Sequence, residues 1–68
     1  MEIVLNGERR QYEGPLTIAA LLEREGLPVH QIGIAVAVNR QVIPRAQWGE
    51  FYLRGGEKVE LVYARQGG

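Results

Sequence analysis

The chain of 68 residues contains no cysteine, no aspartate and one histidine, His30. Without cysteine, neither disulfides nor Cys-based zinc sites can hold the fold, and no side chain can carry a persulfide or act as a thiolate nucleophile. His30 follows Pro28 in a predicted loop and has no aspartate to orient it, so we interpret it as a loop residue rather than a catalytic base. The sequence therefore shows no self-contained active site.

An excess of charge and long apolar runs are also absent. Eight lysines and arginines balance eight glutamates, and the formal net charge of zero argues against nucleic-acid binding by bulk charge. No stretch approaches the roughly 20 apolar residues that span a bilayer, and residues 1–5 do not resemble a signal peptide. We expect a soluble, cytoplasmic, single-domain protein with no nucleic-acid or membrane partner.

The charged residues that are present form no obvious reaction centre. Glu23 and Glu25 are two positions apart on a predicted helix, so they face different directions and are interpreted as solvated rather than as an acid and base pair. The arginines are spread along the chain and balanced by glutamates, which is more typical of a solvated surface than of a patch for an acidic partner. Arg65 is the exception, because it lies near the end of the chain.

The first residues predict a β-hairpin. Asn6 and Gly7 tolerate the positive φ angles of a type I′ turn, and the two-residue turn places Arg10 opposite Ile3. Residues 8–12 then return as a second strand with several polar side chains. We therefore predict that this strand lies at a solvent-facing edge of a sheet.

One helix is predicted over residues 18–25. Thr17 is placed to cap its first amide groups, and Gly26 is suited to the left-handed position after its last turn. The apolar stripe at helical spacing comprises Ile18, Leu21 and Leu22. Such a stripe is expected to pack on a sheet.

The second half predicts three strands and an aromatic-rich loop. Residues 34–38 form a continuous apolar run, typical of a central strand, and residues 42–43 form a short strand that Pro44 ends. Residues 45–53 are predicted to make a short helical turn that contributes three core aromatics: Trp48, Phe51 and Tyr52. A turn at residues 55–56 leads to an alternating, half-buried strand over residues 58–63.

This order of elements predicts an α+β fold of the β-grasp type, with a mixed sheet of four to five strands over one main helix. A right-handed crossover through the helix allows the first and last strands to lie parallel in the middle of the sheet. The domain is predicted to span residues 1–63. Residues 64–68 are expected to form a flexible tail, which at about 3.4 Å per residue reaches roughly 17 Å.

The pair Gly67-Gly68 is the most informative feature of the tail. Glycine has no Cβ, so a Gly-Gly end can thread a narrow slot in which another protein handles a terminal carboxylate. A carboxylate is a poor electrophile, and chemistry on it requires a partner that uses ATP to form an acyl adenylate. Sulfur or an amine can then displace AMP.

The chain resembles the ThiS family, the sulfur carrier proteins of thiamin (thiazole) biosynthesis, which have a ubiquitin-like β-grasp fold. The most specific part is the run from Val38-Asn39 through Pro44-Arg45 to Trp48. The resemblance spans nearly the whole chain and also includes residues 3–8, 21–22, 35–37, 42–43, 55–57 and 67–68. One small departure is Glu57, where the family commonly has aspartate.

The resemblance implies a site at the tail and a set of partners. Gly68 would be adenylated and converted to a thiocarboxylate, and Gly67, Gln66 and Arg65 would be recognised by the partners. No side chain would be catalytic, no metal or cofactor would be bound, and ATP would be used by a ubiquitin-activating-like adenylyltransferase. Thiazole synthase would receive the sulfur, and a donor such as a cysteine desulfurase would supply it.

Other functions fit the same residues. A carrier for molybdopterin synthesis or tRNA thiolation would use the same tail chemistry, and a ubiquitin-like modifier would join Gly68 to a lysine of a target. A noncovalent binding module would instead use the shallow sheet face around Ala35 and Ala37. That module would not need Gly67 or Gly68.

Overall fold

A five-stranded mixed sheet carries one helix on one face in the computed structural model, which describes residues 1–27 and 33–63. The elements are β1 (Glu2–Leu5), β2 (Glu8–Gln11), α1 (Ile18–Arg24), β3 (Ile34–Val38), β4 (Gln41–Val42), a 3₁₀ helix (Arg45–Gln47) and β5 (Lys58–Tyr63). The strand order is β2-β1-β5-β3-β4, with β1 and β5 parallel and the other neighbours antiparallel. The predicted α+β, β-grasp architecture is confirmed.

The opening hairpin has the predicted turn and register. Asn6 and Gly7 adopt φ angles of 49° and 84°, as a type I′ turn requires. Ile3 pairs with Arg10 across the two strands. β2 ends at Gln11 and is exposed along its whole length, which confirms that it is a solvent-facing edge strand.

Helix α1 is fixed at both ends by local signals. The Thr17 hydroxyl accepts a hydrogen bond from the Ala20 amide at 3.1 Å, and Gly26 has a φ of 75° just beyond the helix. The helix ends one residue earlier than predicted, at Arg24. Its predicted apolar stripe is fully buried: Ile18, Leu21 and Leu22.

The core lies between α1 and the helix-facing side of the sheet. Alternation along β1, β3 and β5 turns seven side chains inward: Ile3, Leu5, Ile34, Val36, Val38, Val59 and Leu61. β3 has a neighbour on each side, as its apolar run predicts, although the middle strand is β5. β5 lies parallel to β1 inside the sheet, which confirms the predicted arrangement of the first and last strands.

The aromatic loop closes one end of the core, but with two of its three aromatic rings. Trp48 is buried and donates its indole N–H to the Ile43 carbonyl at 2.9 Å, and Phe51 packs partly buried against the core. The prediction that Tyr52 is a core residue is wrong, since it is 61% exposed. The chain is extended there, and Tyr52 forms a bridge with Thr17, so alternation sends Leu53 inward and Tyr52 outward.

The turn before β5 is held by its acidic residue. The Glu57 carboxylate accepts a hydrogen bond from the Arg54 amide at 2.6 Å, and Gly56 adopts a φ of 87°. A glutamate thus makes a local contact across this turn. The departure from aspartate at this position is therefore compatible with the fold.

The predicted domain boundary falls where the described residues end. β5 reaches Tyr63, and the predicted tail, residues 64–68, lies outside the described residues, as do Pro28 and His30. The division at residue 63 therefore stays a prediction. Within residues 1–27 and 33–63, no helix is both long and apolar enough to cross a membrane.

Candidate functional site

The site predicted from the sequence lies just beyond the last described residue. Gly68, Gly67, Gln66 and Arg65 are outside the described residues. The structure does define the strand from which they continue. The environment of Val62 and Tyr63 at the end of β5 is therefore the part of the candidate site that can be built from geometry.

β5 is the most enclosed strand of the sheet. On one side it pairs with β3 along five successive residues, from Val59 opposite Val38 to Tyr63 opposite Ile34. On the other side it pairs with β1 at Lys58 and Val59. The tail thus continues from a strand that is paired with β1 at its start, paired with β3 as far as Tyr63 and packed against α1.

Asn6 extends the pairing of β1 with β5 by one residue. Its side-chain oxygen accepts from the Leu61 amide at 2.8 Å, and its side-chain nitrogen donates to the Leu61 carbonyl at 3.1 Å. The side chain therefore replaces the backbone of a strand that has already turned away. The sequence predicts Asn6 only as a turn residue, because no local pattern pairs residues that are 55 positions apart.

The outer face of the sheet, on the side away from α1, is shallow and partly apolar near the end of β5. Ala35 lies opposite Val62, and Ala37 lies between Glu60 and Val42. Val42 is 69% exposed and Val62 is 64% exposed. The shallow face predicted around Ala35 and Ala37 is confirmed, and it includes Val62 near the end of β5.

A polar cluster ties β2 and the segment after it to the end of α1. The Tyr12 hydroxyl donates to the Glu25 carboxylate at 2.7 Å, and the Arg10 guanidinium donates to Glu25 at 3.3 Å and to Glu8 at 3.2 Å. Partial burial, followed by the contact with Glu25, raises the pKa of Tyr12 to about 12. The hydrogen bond to Glu8, and then the charge of Glu25, raise the pKa of Arg10.

This cluster corrects the interpretation of Glu25 as a simply solvated residue. Glu25 is half-buried, whereas Glu23 is exposed as expected. The difference arises because Glu25 caps the end of the helix, beside β2, where Arg10 and Tyr12 reach it. The sequence spacing within one helix contained no signal for partners on another element.

The remaining charged side chains do not gather into a reaction centre in the described part of the chain. Arg9, Arg40 and Arg54 are exposed on three different segments, and the Arg45 guanidinium lies 4.6 Å from the centre of the Trp48 ring. Residues 1–27 and 33–63 contain no group of three or more His, Cys, Asp or Glu side chains placed to hold a metal ion.

The sequence matches one protein family over almost all of its length. The model of the ThiS family matches residues 3–68. The sulfur carrier protein ThiS of Escherichia coli (strain K12) is 34% identical over 68 residues, which is all of both chains. A thiazole synthase of Paramagnetospirillum magneticum is 31% identical over 68 residues, and the whole chain here corresponds to 20% of that larger protein.

The fold also matches solved structures. The crystal structure of a thiamine biosynthesis protein (ThiS) from Geobacter metallireducens superposes with a TM-score of 0.81, covers all of both chains and is 24% identical. A solution structure of a thiamine biosynthesis protein from the same organism gives the same TM-score over 88% of its own chain. At this level of identity, the likeness establishes the fold.

Proposed function

This chain belongs to the ThiS family, and we propose that it is a sulfur carrier of thiamine biosynthesis whose Gly68 carboxylate becomes a thiocarboxylate. The observation that carries the proposal is the match of the family model to residues 3–68, which includes both terminal glycines of the sequence. The thiocarboxylate donates its sulfur to thiazole formation. The chain is a co-substrate of its partner enzymes rather than an enzyme.

The chemistry at Gly68 has two steps. The carboxylate oxygen attacks the α-phosphorus of ATP, and pyrophosphate leaves, which gives an acyl adenylate. A sulfur nucleophile such as hydrosulfide then attacks the acyl carbon, and AMP leaves with the original oxygen. One oxygen of the carboxylate is thereby replaced by sulfur without any change in redox state.

The folded domain anchors the strand from which the reacting tail continues. β5 is paired with β3 as far as Tyr63, and its inward residues Val59 and Leu61 are buried, so the strand from which the tail continues is held in place. Five residues beyond Tyr63 extend at most about 17 Å. This geometry supports delivery of Gly68 into the active site of a partner.

Three partners follow from the proposed chemistry. A ubiquitin-activating-like adenylyltransferase supplies the adenylation, and a donor such as a cysteine desulfurase supplies the sulfur. Thiazole synthase consumes it, which is supported by the relative in which a segment similar to this chain forms 20% of a protein named thiazole synthase. We propose that all three reactions take place in the cytoplasm. The carrier itself binds no cofactor in this scheme.

The mass of the intact protein tests the proposal. The chain is incubated with the adenylyltransferase of the same organism, ATP and sulfide. We expect the mass to rise by the difference between one sulfur and one oxygen atom, and the change to be located at Gly68 by fragmentation. An unchanged mass with an adenylyltransferase that is active on another carrier would contradict the proposal.

A glycine substitution in the tail separates the site from the fold. Gly67→Ala is expected to slow thiocarboxylate formation at least tenfold, because the added methyl group obstructs a narrow slot. Gly49→Ala is the matched control, since its new Cβ meets nothing within 4 Å and its φ is not positive. Both variants should unfold at the temperature of the parent protein; equal rates for the two variants would argue against recognition of Gly67.

A further inference from the structure

Along β5, the N–H and C=O groups of successive residues point alternately towards β1 and towards β3. This alternation fixes the direction in which the N–H and C=O of Tyr63 point. The carbonyl of Val59 accepts from the Asn6 amide, and both backbone groups of Leu61 bond to the Asn6 side chain. These residues therefore face β1. Since the pattern repeats every second residue along a strand, the N–H and C=O of Tyr63 face the same side.

The position beside Tyr63 on that side is vacant in the described part of the chain. β1 ends at Leu5, the chain turns back at Gly7, and Asn6 reaches only as far as Leu61. Among residues 1–27 and 33–63, no group pairs with the backbone of Tyr63 on the β1 side. An unpaired strand edge of this kind is a template for another extended chain.

A hollow of about 180 Å³ lies next to this edge on the helix side of the sheet. Three leucines contribute apolar surface to it: Leu5, Leu27 and Leu61. Tyr63 itself and four polar or charged residues also line it: Asn6, Glu8, Arg10 and Glu25. Because side chains of an added strand alternate between the two faces of the sheet, every second one would point towards this hollow.

We propose that thiazole synthase adds an extended segment to the sheet beside Tyr63, in the line of β1, and places one of its side chains in the hollow. The proposal rests on the proposed function, because it assumes that this enzyme handles the tail that follows Tyr63. Main-chain hydrogen bonds supply affinity in strand addition, and the pocket for alternate side chains supplies specificity.

The free edges of the chain itself argue against a second copy as the occupant. β4 has only two residues, and β2 carries Glu8, Arg9 and Arg10 in four exposed positions. Pairing β2 of another copy beside Tyr63 would bring its charges to a hollow already lined by Glu8 and Arg10. Charged edges of this kind disfavour pairing between copies.

Two variants of Tyr63 isolate its backbone N–H. Tyr63→Pro removes the side chain and the N–H, whereas Tyr63→Ala removes only the side chain and is the matched control. The N–H faces away from β3, so its loss should leave the β3 ladder intact. We expect thiazole synthase to bind Tyr63→Pro about tenfold more weakly than Tyr63→Ala, because proline also blocks the approach of the added strand. Equal affinities would overturn the proposal.

Amide hydrogen exchange on the unmodified protein provides a test that does not depend on the folding of a variant. We expect the Tyr63 amide to exchange at least tenfold more slowly when saturating thiazole synthase is present, while the outward-facing Gln11 amide on the outer side of β2 is unchanged. A Tyr63 amide that exchanges equally fast in both states would overturn strand addition. Protection in the free protein, together with dimerisation, would identify a second copy as the occupant instead.

The two proposals fail in different ways. If the thiocarboxylated protein supports turnover by thiazole synthase but Tyr63→Pro and Tyr63→Ala bind equally, the carrier function stands and strand addition is wrong. If the unmodified protein neither gains sulfur at Gly68 nor binds thiazole synthase, the carrier function itself is wrong. The mass measurement and the binding measurement on the same samples therefore separate the two.

Discussion

The two faces of the sheet carry similar small and branched apolar side chains but differ in what covers them. On the helix side, Val36 is 1% exposed and Val59 is 1% exposed, whereas on the outer face Val42 is 69% exposed and Val62 is 64% exposed. Hydrophobicity of a single residue therefore does not determine its burial. The single helix can cover only one face, so the other stays accessible beside the strand that leads to the tail.

This difference separates stability from recognition in a very small domain. The helix-side residues hold β5 in place, whereas Val42 and Val62 on the outer face are exposed and, within residues 1–27 and 33–63, Tyr63 is unpaired on its β1 side. A chain of this length buries only about 60% of the surface of its unfolded form. Each inward side chain is therefore expected to matter more than any outward one.

The largest loss of stability is expected from the helix. Leu21→Ala removes a fully buried side chain of α1 that packs on the sheet, and should lower the free energy of unfolding by about 3 kcal/mol. Urea denaturation followed by circular dichroism measures the change. A loss below about 1 kcal/mol would contradict the assignment of this face as the core.

The same substitution on the two faces tests the comparison directly. Val36→Ala, on the helix side, should cost about 2 kcal/mol, since a buried valine contributes roughly that amount. Val62→Ala, on the outer face, should change stability by less than about 0.5 kcal/mol. Equal losses in urea denaturation would mean that the outer face is also covered in solution, for example by a second copy.

A smaller loss is expected where β1 leaves the sheet. Asn6→Ala removes both hydrogen bonds to Leu61 and places alanine at a φ of 49°, and should cost about 1.5 kcal/mol. Asn6→Asp keeps the acceptor for the Leu61 amide, so its free energy of unfolding should lie between those of the parent protein and of Asn6→Ala. If the alanine variant unfolds at the urea concentration of the parent, the side chain does not hold β5.

The smallest effect, which depends on pH, is expected at Tyr12. Tyr12→Phe removes the hydrogen bond to Glu25 and should cost about 0.5 kcal/mol at neutral pH. Folding raises the pKa of Tyr12 from 10.0 to about 12, so the folded state favours the protonated form. Its contribution is complete below pH 10 and is lost as the pH rises from 10 to 12.

Urea denaturation of the parent and of Tyr12→Phe across this range checks the sign. The difference in stability between the two proteins should shrink as the pH approaches 12. A difference that stays constant or grows would show that Tyr12 does not hold its proton more tightly in the folded state. The comparison removes the titration of the other groups, which both proteins share.

Local signals predicted the elements, and the crossover predicted the parallel pairing of the first and last strands, whereas individual side-chain contacts across the chain were not predictable. Asn6-Gly7 gave the hairpin register, and Thr17 with Gly26 marked the ends of the helix to within a residue. The second role of Asn6 at Leu61 and the contact of Glu25 with Tyr12 had no local signal. The prediction for Tyr52 is wrong because its exposure depends on the extended conformation of its segment, which forms a bridge with Thr17.

The sequence by itself determined the order of elements, the inward side chains and the absence of a thiol, because these depend on residue type and on spacing along the chain. It also placed the terminal glycines within the part that matches the ThiS family. Only the tertiary structure decided that the Asn6 side chain bonds to Leu61 and that, within residues 1–27 and 33–63, nothing pairs with Tyr63 on its β1 side. The physical reason is that hydrogen-bond pairing between strands depends on where each chain turns away, which no single segment records.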